Sequence, residues 1–269
     1  MTSKTTRHAL VIAAFLGGSG MAVAEEQAAP AEAALNDAEE RMIALEALNK
    51  MGSYLRSIES FKVQAVTSTD EVLKNGQKIQ FDKSVEIQAK KPAGLRADVT
   101  SPYGERSFYF DGKTFTLHTP RNKFYATIPV SGTNGEFVEA VQNKTGATLP
   151  LVDLFLWGAD DAAGDDIESA IVVGYGNVNG VQCEHYAFRQ KEVDWQICIQ
   201  EGETPLPLKL VITSKNEEEK PQYVSVMKWD AAAALDDKAF TYTPQEGDTK
   251  ISFNPVAEQS PAAPKGDDK

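Results

Sequence analysis

Residues 106–130, RSFYFDGKTFTLHTPRNKFYATIPV, constrain the fold more than any other stretch of this chain. They contain three short runs in which apolar and polar residues alternate, and this alternation is typical of β-strands with one buried face. Asp111-Gly112 separates the first two runs, and Gly tolerates the positive φ that a tight hairpin requires. Residues 119–122, TPRN, separate the second run from the third. The stretch therefore predicts an antiparallel meander of three strands.

The two faces of this meander differ in polarity. With Phe110 opposite Lys113 and His118 opposite Lys123, the side chains alternate between the faces with a period of two. The apolar face carries Phe108, Phe110, Phe115, Leu117, Phe124, Ala126 and Ile128. The other face carries Tyr109, Thr114, Thr116, His118, Tyr125 and Thr127. An apolar face of this size must be covered by a helix or by a ligand.

The N-terminus has the features of a secretory signal peptide. Lys4 and Arg7 form a short basic start, residues 9–16 are apolar, and Ala22-Val23-Ala24 is a small-residue cleavage motif. The apolar run is too short to span a bilayer, which takes roughly 18 apolar residues, and no other segment is long enough. We therefore expect a periplasmic protein, cleaved after Ala24 and not membrane-spanning; an uncleaved anchor is the alternative.

The rest of the chain is expected to form one domain with two flexible ends. Residues 25–37 are rich in Ala, Glu and Pro, and the tail at 254–269 is similarly poor in large apolar side chains, so both are predicted to be flexible. Residues 38–253 remain for a single domain. The net charge of −12 argues against nucleic acid and anionic lipid surfaces as partners.

Helical patterns occur at two places in this domain. Asp37-x-x-Glu40 is a capping box that predicts a helix to about Ile58. Its apolar stripe consists of Ala44, Leu48, Met51, Leu55 and Ile58. A second helix is predicted from Thr133 or Asn134 to Gly146, and a short third one over residues 150–157.

Strand patterns fill the remainder. Asn75-Gly76 predicts a hairpin between residues 61–73 and 77–89. Further strands are predicted at 95–100, 171–178, 181–189, 194–200, 208–214 and 223–229, with short ones at 240–242 and 251–253. The fold class is therefore α+β and mainly β. We expect a curved antiparallel half-barrel sheet of about 10–11 strands, with two or three helices in its concave face.

Several motifs resemble a family of predicted periplasmic proteins of unknown function. They are KPAGLRADV (91–99), RSFYFDGKTFTL (106–117), LPLVDLF (149–155), EHYAFRQKEVDWQI (184–197) and PQY (221–223). The order of elements, the strand-turn-strand unit at 108–126 and PLPLKLVIT (205–213) also resemble the lipoprotein-carrier superfamily of LolA, LolB and RseB. That resemblance implies a LolA-like half-open barrel with helices in its concave side. Carriers of this kind shield lipoprotein acyl chains in an apolar cavity, and RseB-like members sense mislocalised envelope components.

Cys183 and Cys198 are the only two cysteines. In an exported protein, such a pair favours a disulfide. If Arg189 lies opposite Glu192 in a hairpin, Cys183 lies opposite Cys198, and this geometry supports a disulfide. Two separate buried thiols are the alternative, and the absence of a C-x-x-C motif argues against a redox-active pair.

The sequence offers no recognisable catalytic or metal-binding motif. His118 and His185, the histidines of the mature chain, each stand alone in a predicted strand, so we expect structural roles. His185 and Asp194 meet across the predicted hairpin, but no nucleophile in a recognisable elbow accompanies them. We therefore expect no metal, no cofactor and no enzymatic activity.

The apolar hollow is the remaining candidate for a ligand site. Its predicted wall is Phe108, Phe110, Phe115, Leu117 and Phe124, and its predicted lid is Leu151, Leu154, Phe155 and Trp157. Each buried methylene contributes ~0.8 kcal/mol, so we expect that a lipid or lipoprotein acyl chain would need no specific polar contact to bind there. The sequence favours a non-enzymatic binding or shuttling protein. An envelope sensor with a protein partner is the first alternative, a hydrolase is a weaker one, and ordinary core packing explains the same phenylalanines.

Overall fold

A computed structural model describes residues 36–145, 151 and 166–253 of the chain. The predicted signal peptide, most of the segment 25–37, most of the third predicted helix and the tail at 254–269 lie outside these residues. No helix among the described residues combines the length and the apolar character needed to cross a membrane.

One sheet of 12 strands dominates the described part of the chain, and its strands are ordered β12-β6-β5-β4-β3-β2-β1-β11-β10-β9-β8-β7. Neighbouring strands are antiparallel except for β12 and β6, which are parallel. The elements are α1 (Asp37–Ser57), β1 (Ser60–Val72), β2 (Lys78–Lys90), β3 (Leu95–Ser101), β4 (Gly104–Phe110), β5 (Thr114–Thr119), β6 (Phe124–Pro129), α2 (Asn134–Thr145), β7 (Ser169–Val178), β8 (Val181–Arg189), β9 (Val193–Gln200), β10 (Pro207–Ser214), β11 (Gln222–Asp230), a 3-10 helix (Asp237–Phe240) and β12 (Thr249–Lys250). The mainly β architecture expected from the sequence is confirmed, with one strand more than expected.

The C-terminal part of the domain departs from the predicted strands. Residues 240–242 were expected to be extended, but the chain forms the 3-10 helix Asp237–Phe240 there. The Asp236 side chain accepts a hydrogen bond from the backbone N–H of Lys238 and so caps this turn. The last strand is β12, which lies just before the predicted strand at 251–253.

Helix α1 starts one residue earlier than the sequence pattern suggested. Asn36 is the N-cap: its side chain accepts hydrogen bonds from the backbone of Ala38 and Glu39, while the Glu39 carboxylate accepts from the Asn36 N–H. Asn caps helices as well as Asp does, so Asn36 displaces the predicted Asp37–Glu40 box. The predicted apolar stripe is buried along its whole length, at Ala44, Leu48, Met51, Leu55 and Ile58.

Helix α2 lies on the same side of the sheet and joins the same core. Thr133 caps it: its hydroxyl accepts from the Glu136 N–H, and the Glu136 carboxylate accepts from the Thr133 N–H at 2.7 Å. Phe137, Val138 and Val141 are buried in the core cluster that also contains the α1 stripe. Both helices therefore cover one face of the sheet, as expected, and the predicted end of α2 at Gly146 lies outside the described residues.

The meander has the predicted faces but a different register. Phe110 lies opposite Phe115, and His118 lies opposite Tyr125. Each pairing differs from the prediction by two residues, so every side chain stays on its predicted face. The Asp111 carboxylate accepts hydrogen bonds at 3.0 and 2.8 Å from backbone N–H groups two and three residues later, which lengthens the first turn.

The β8–β9 hairpin is also offset by two residues from its predicted pairing. Arg189 lies opposite Asp194, and their side chains form two hydrogen bonds of 2.9 Å. Cys183 consequently lies opposite Gln200 rather than opposite Cys198. The predicted disulfide between Cys183 and Cys198 is nevertheless present, with a Cα–Cα distance of 5.5 Å. An offset of two keeps both sulfurs on one face of the hairpin and within bonding reach.

Candidate functional site: the hollow between the sheet and its helices

The apolar face of the meander packs against helix α2. Phe110 and Phe115 are fully buried. The ring of Phe137 stacks on Phe110 with 4.0 Å between centroids and tilts against Phe115 at 5.4 Å. The first turn of α2 thus supplies the side chain that fills the hollow above these two phenylalanines.

The other predicted wall residues occupy different environments. Phe108 is buried beside Phe115, with 6.4 Å between ring centroids, and Leu117 is partly buried against the core. Phe124 lies at the start of β6, opposite Thr119, and is 41% exposed, so the structure places it apart from the other three phenylalanines. In the predicted lid, Leu151 is buried in the core cluster. Leu154, Phe155 and Trp157 lie outside the described residues.

A residue that the sequence reasoning missed, Phe253, also reaches the hollow. The backbone N–H groups of Thr249 and Ile251 donate to carbonyl oxygens of the β6 segment at 2.7 and 2.8 Å. The chain therefore continues along β6, and the Phe253 ring stacks on Phe115 with 5.6 Å between centroids. The sequence predicted a short strand at 251–253 but gave no signal that Phe253 would reach the hollow.

On the opposite face of the meander, His118 lies beneath this C-terminal segment. Its ring packs 4.7 Å from that of Tyr242, and its Nε2 atom lies 3.5 Å from Oδ1 of Asp248. The Tyr242 hydroxyl and the Gln245 backbone N–H both donate to the Asp248 carboxylate. These hydrogen bonds lower the pKa of Asp248, whereas burial raises the pKa of Tyr242. The contacts give His118 a structural role, which is to hold the C-terminal segment on the sheet.

The second histidine does not form the catalytic pair that the sequence suggested. His185 lies opposite Cys198, while Asp194 bonds to Arg189. His185 does lie within 4.8 Å of both cysteine sulfurs, a grouping that resembles a metal site. The sulfurs are joined in a disulfide, however, and only thiolates bind metals strongly. This cluster is therefore structural.

A cavity opens between the ends of the two helices, in a region that the sequence analysis did not identify. Its volume is about 420 Å³. The floor is apolar and buried, formed by Leu55, Phe61 and Ala89, all of which belong to the main core. The rim consists of Arg56, Glu59, Lys90, Lys91, Pro92, Thr133, Asn134 and Gly135.

The turn between β2 and β3 positions both helix ends around this cavity. The buried Asn134 side chain at the start of α2 accepts from the Gly94 N–H at 2.9 Å and donates to the Lys90 carbonyl oxygen at 3.1 Å. The Lys91 N–H donates to the Glu59 carbonyl oxygen at 2.8 Å, and the Lys91 ammonium group donates to the Arg56 carbonyl oxygen at the end of α1. The turn between β2 and β3 thus holds the end of α1 and the start of α2 in place, and the cavity lies between these two helix ends.

The glycine in this turn is required by a close approach. Gly94 has φ of +158°, and a Cβ atom there would lie 2.9 Å from the ring of Phe240 in the 3-10 helix. Any larger residue would force the buried Phe240 ring to shift.

The similarity of this chain to known proteins identifies its family but not its ligand. Residues 44–254 match the family described as "Predicted periplasmic protein (DUF2092)". A search of curated proteins found no match.

Three similar solved structures show how distant the known relatives of this fold are. The lipoprotein LppX from Mycobacterium tuberculosis has 9% identity and a TM-score of 0.46, and the match covers 72% of this chain and 99% of LppX. MucB has 15% identity and a TM-score of 0.41, and the match covers 75% of this chain and 63% of MucB. A LolA superfamily protein from Nitrosomonas europaea has 9% identity and a TM-score of 0.37, and the match covers 74% of this chain and 97% of that protein. These values are too low to indicate what this chain binds.

Proposed function

We propose that this chain, which belongs to the DUF2092 family of predicted periplasmic proteins, is a non-enzymatic periplasmic binding protein that holds or shuttles a lipid or lipoprotein acyl group. The main support is the cavity between α1 and α2, because its apolar floor is continuous with the core face of the sheet. The His185–Asp194 pair that would have favoured a hydrolase does not form.

The size and chemistry of the cavity suit an acyl chain. At about 420 Å³ it lies within the range of roughly 300–1,000 Å³ that is typical of small-molecule sites. An acyl segment of about eight methylenes would contribute about 6 kcal/mol by leaving water. A site of this kind needs few polar contacts, which is consistent with the lack of a sequence motif.

In this proposal the predicted wall, Phe108, Phe110, Phe115 and Leu117, lies deeper in the same hollow, and Leu151 with Leu154, Phe155 and Trp157 covers it. Because Phe137 packs directly on the wall, a long chain reaches it only when that side chain is displaced. Binding then replaces the Phe137 side chain in the hollow by the acyl chain. The ligand shifts the population toward the conformation in which Phe137 is displaced.

A pair of matched substitutions tests where the chain binds. Ala89 and Ala97 lie on the same face of neighbouring strands and are 2% and 1% exposed, but only Ala89 lines the cavity. Ala89→Leu and Ala97→Leu each add the same volume and are each expected to cost about 1–3 kcal/mol of stability. We expect a dansyl-labelled fatty acid to bind the wild type and the Ala97 variant, and to bind the Ala89 variant at least about tenfold more weakly. No uptake by the wild type, or equal loss in both variants, would contradict the proposal.

One observation favours the second candidate, an envelope sensor that binds a protein partner. β7 is an edge strand of the described sheet and carries no charged residue, although edge strands are usually protected by charges. Its side chains Ile171, Val173 and Tyr175 are 46%, 54% and 80% exposed. An uncharged apolar edge fits an added strand from an extended segment of an envelope protein.

Site-specific cross-linking tests this second candidate. A photo-reactive residue at Val173 should form adducts with an envelope protein, and Ile171→Lys should abolish them. The same residue at Val66, which is 56% exposed on β1, is the control and should form none. Equal labelling at both positions, or none at either, would exclude partner binding at this edge.

A further inference from the structure

We infer that the cavity between α1 and α2 receives the anionic headgroup of a single-chain amphiphile, such as a monoacyl phospholipid, with the acyl chain on the apolar floor. The inference rests on the proposed function and adds a ligand class to it. It comes from the charges at the rim and from their position above buried apolar side chains.

The charge at this rim is opposite in sign to that of the chain. The protein carries a net charge of −12, yet three cationic residues line the cavity, Arg56, Lys90 and Lys91, against one carboxylate, Glu59. Lys90 also pairs with Asp237 at 2.6 Å, and that carboxylate is 83% exposed. The acidic surface disfavours an anionic bilayer, but a local cluster of cations attracts a single anionic molecule.

Lys91 is the cation best placed to meet a headgroup. Lys91 is a partly buried residue, and among the described residues the one hydrogen bond of its ammonium group goes to the neutral carbonyl oxygen of Arg56. An ammonium group has three N–H donors, so donors remain for a ligand oxygen. Burial lowers the pKa of Lys91, and the nearby Arg56 guanidinium lowers it further, against the opposing effect of Glu59. An anion between the two cations would relieve their repulsion.

The surroundings of Lys91 define the orientation of the ligand. Below the cationic rim lie the buried side chains of Leu55, Phe61 and Ala89. The first turn of α2 lies across the cavity, and the N-terminal end of a 12-residue helix adds a partial positive charge. A headgroup at the rim and an acyl chain over the floor satisfy both surfaces at once, whereas a free anion would use only the rim.

Matched ligands separate the headgroup from the chain. Binding of lysophosphatidylglycerol, which is anionic, is compared with that of lysophosphatidylcholine, which is zwitterionic and has the same acyl chain, below the micelle concentration. Glycerol phosphate represents the headgroup alone. Both lipids carry a phosphate that accepts hydrogen bonds, but the cationic rim repels the choline group of lysophosphatidylcholine, which predicts a preference of about tenfold for the anionic lipid. Glycerol phosphate should bind more weakly, because it buries no acyl chain.

Variants assign the preference to Lys91. Lys91→Gln should reduce the preference for the anionic lipid, because the rim loses one cation, and Lys91→Arg should retain it. Lys83→Gln, on β2 and away from the cavity, is the control and should behave like the wild type. Thermal unfolding of each variant confirms that it is folded before binding is measured.

Each other outcome has a distinct meaning. Equal affinities for the two lipids, or equal losses in the Lys91→Gln and Lys83→Gln variants, would overturn the headgroup inference and leave acyl binding intact. Glycerol phosphate binding as tightly as the anionic lipid would replace the amphiphile site by a free-anion site. If neither lipid binds, the proposed function itself is wrong.

Discussion

Replacing Phe137 with Ala removes the side chain that fills the hollow, so it tests how the helices and the sheet are coupled. Phe137 is fully buried and touches two aromatic rings, Phe110 at 4.0 Å and Phe115 at 5.4 Å. Truncation of a buried Phe to Ala typically costs about 3–5 kcal/mol, which includes the cavity left behind. The ring contacts, each contributing about 0.5–1.5 kcal/mol, place this site in the upper part of that range.

Urea unfolding followed by tryptophan fluorescence and far-UV circular dichroism measures this loss. Phe124→Ala is the matched control, because Phe124 is 41% exposed at the start of β6, and it should cost less than about 1.5 kcal/mol. If Phe137→Ala costs no more than Phe124→Ala at equal m-values, α2 does not pack on the meander as described.

The same variant has an expected effect on binding. An emptied apolar cavity stays dry and accepts apolar ligands. The Phe137 variant should therefore bind a fluorescent fatty acid more tightly than the wild type, provided that it remains folded. Weaker binding by a folded variant would refute the view that Phe137 competes with the ligand for the hollow.

Three further predictions concern stability. Replacing Cys183 and Cys198 together with Ala should lower the free energy of unfolding by about 3 kcal/mol, measured by calorimetry, and an unchanged value would mean that the disulfide does not form. Asn134→Ala should cost about 2–3 kcal/mol in urea unfolding, because its buried partners lose their hydrogen bonds; a cost below about 0.5 kcal/mol would contradict the described α2 anchor. Hydrogen bonds from Tyr242 and the Gln245 backbone lower the pKa of Asp248 below its ordinary 3.8, so its stabilisation is complete above about that pH and is lost as the pH falls further. Asp248→Asn should therefore flatten the loss of thermal stability between about pH 4 and pH 2, and an unaltered slope would contradict this linkage.

The sequence predicted which side chains share a face far better than which residues lie opposite each other. Alternation placed Phe110 and Phe115 on one face of the meander, and both are buried there. The register differed by two residues because it depends on turns, and the Asp111 side chain lengthens one of them through hydrogen bonds that alternation does not reveal. The Arg189–Asp194 ion pair sets the β8–β9 register in the same way.

The cavity at the helix ends was beyond sequence reasoning for a different reason. Its cations are Arg56 at the end of α1 and Lys90 and Lys91 at the end of β2. In the sequence, each of them alone is indistinguishable from an ordinary surface charge. They meet only because Asn134 bonds to Gly94, 40 residues earlier in the chain, and Lys91 bonds to the end of α1. Long-range contacts of this kind leave no local pattern. The exposure of Phe124 was missed because the predicted register placed it opposite Leu117, whereas it lies opposite Thr119.

Native mass spectrometry of the mature protein recovered from its own periplasm tests acyl binding most directly. The proposal predicts a second charge-state series, heavier by the mass of an acylated ligand, which disappears after organic extraction and returns when an anionic single-chain lipid is added. Protein that is reproducibly free of ligand and that also takes up no fluorescent fatty acid would contradict it.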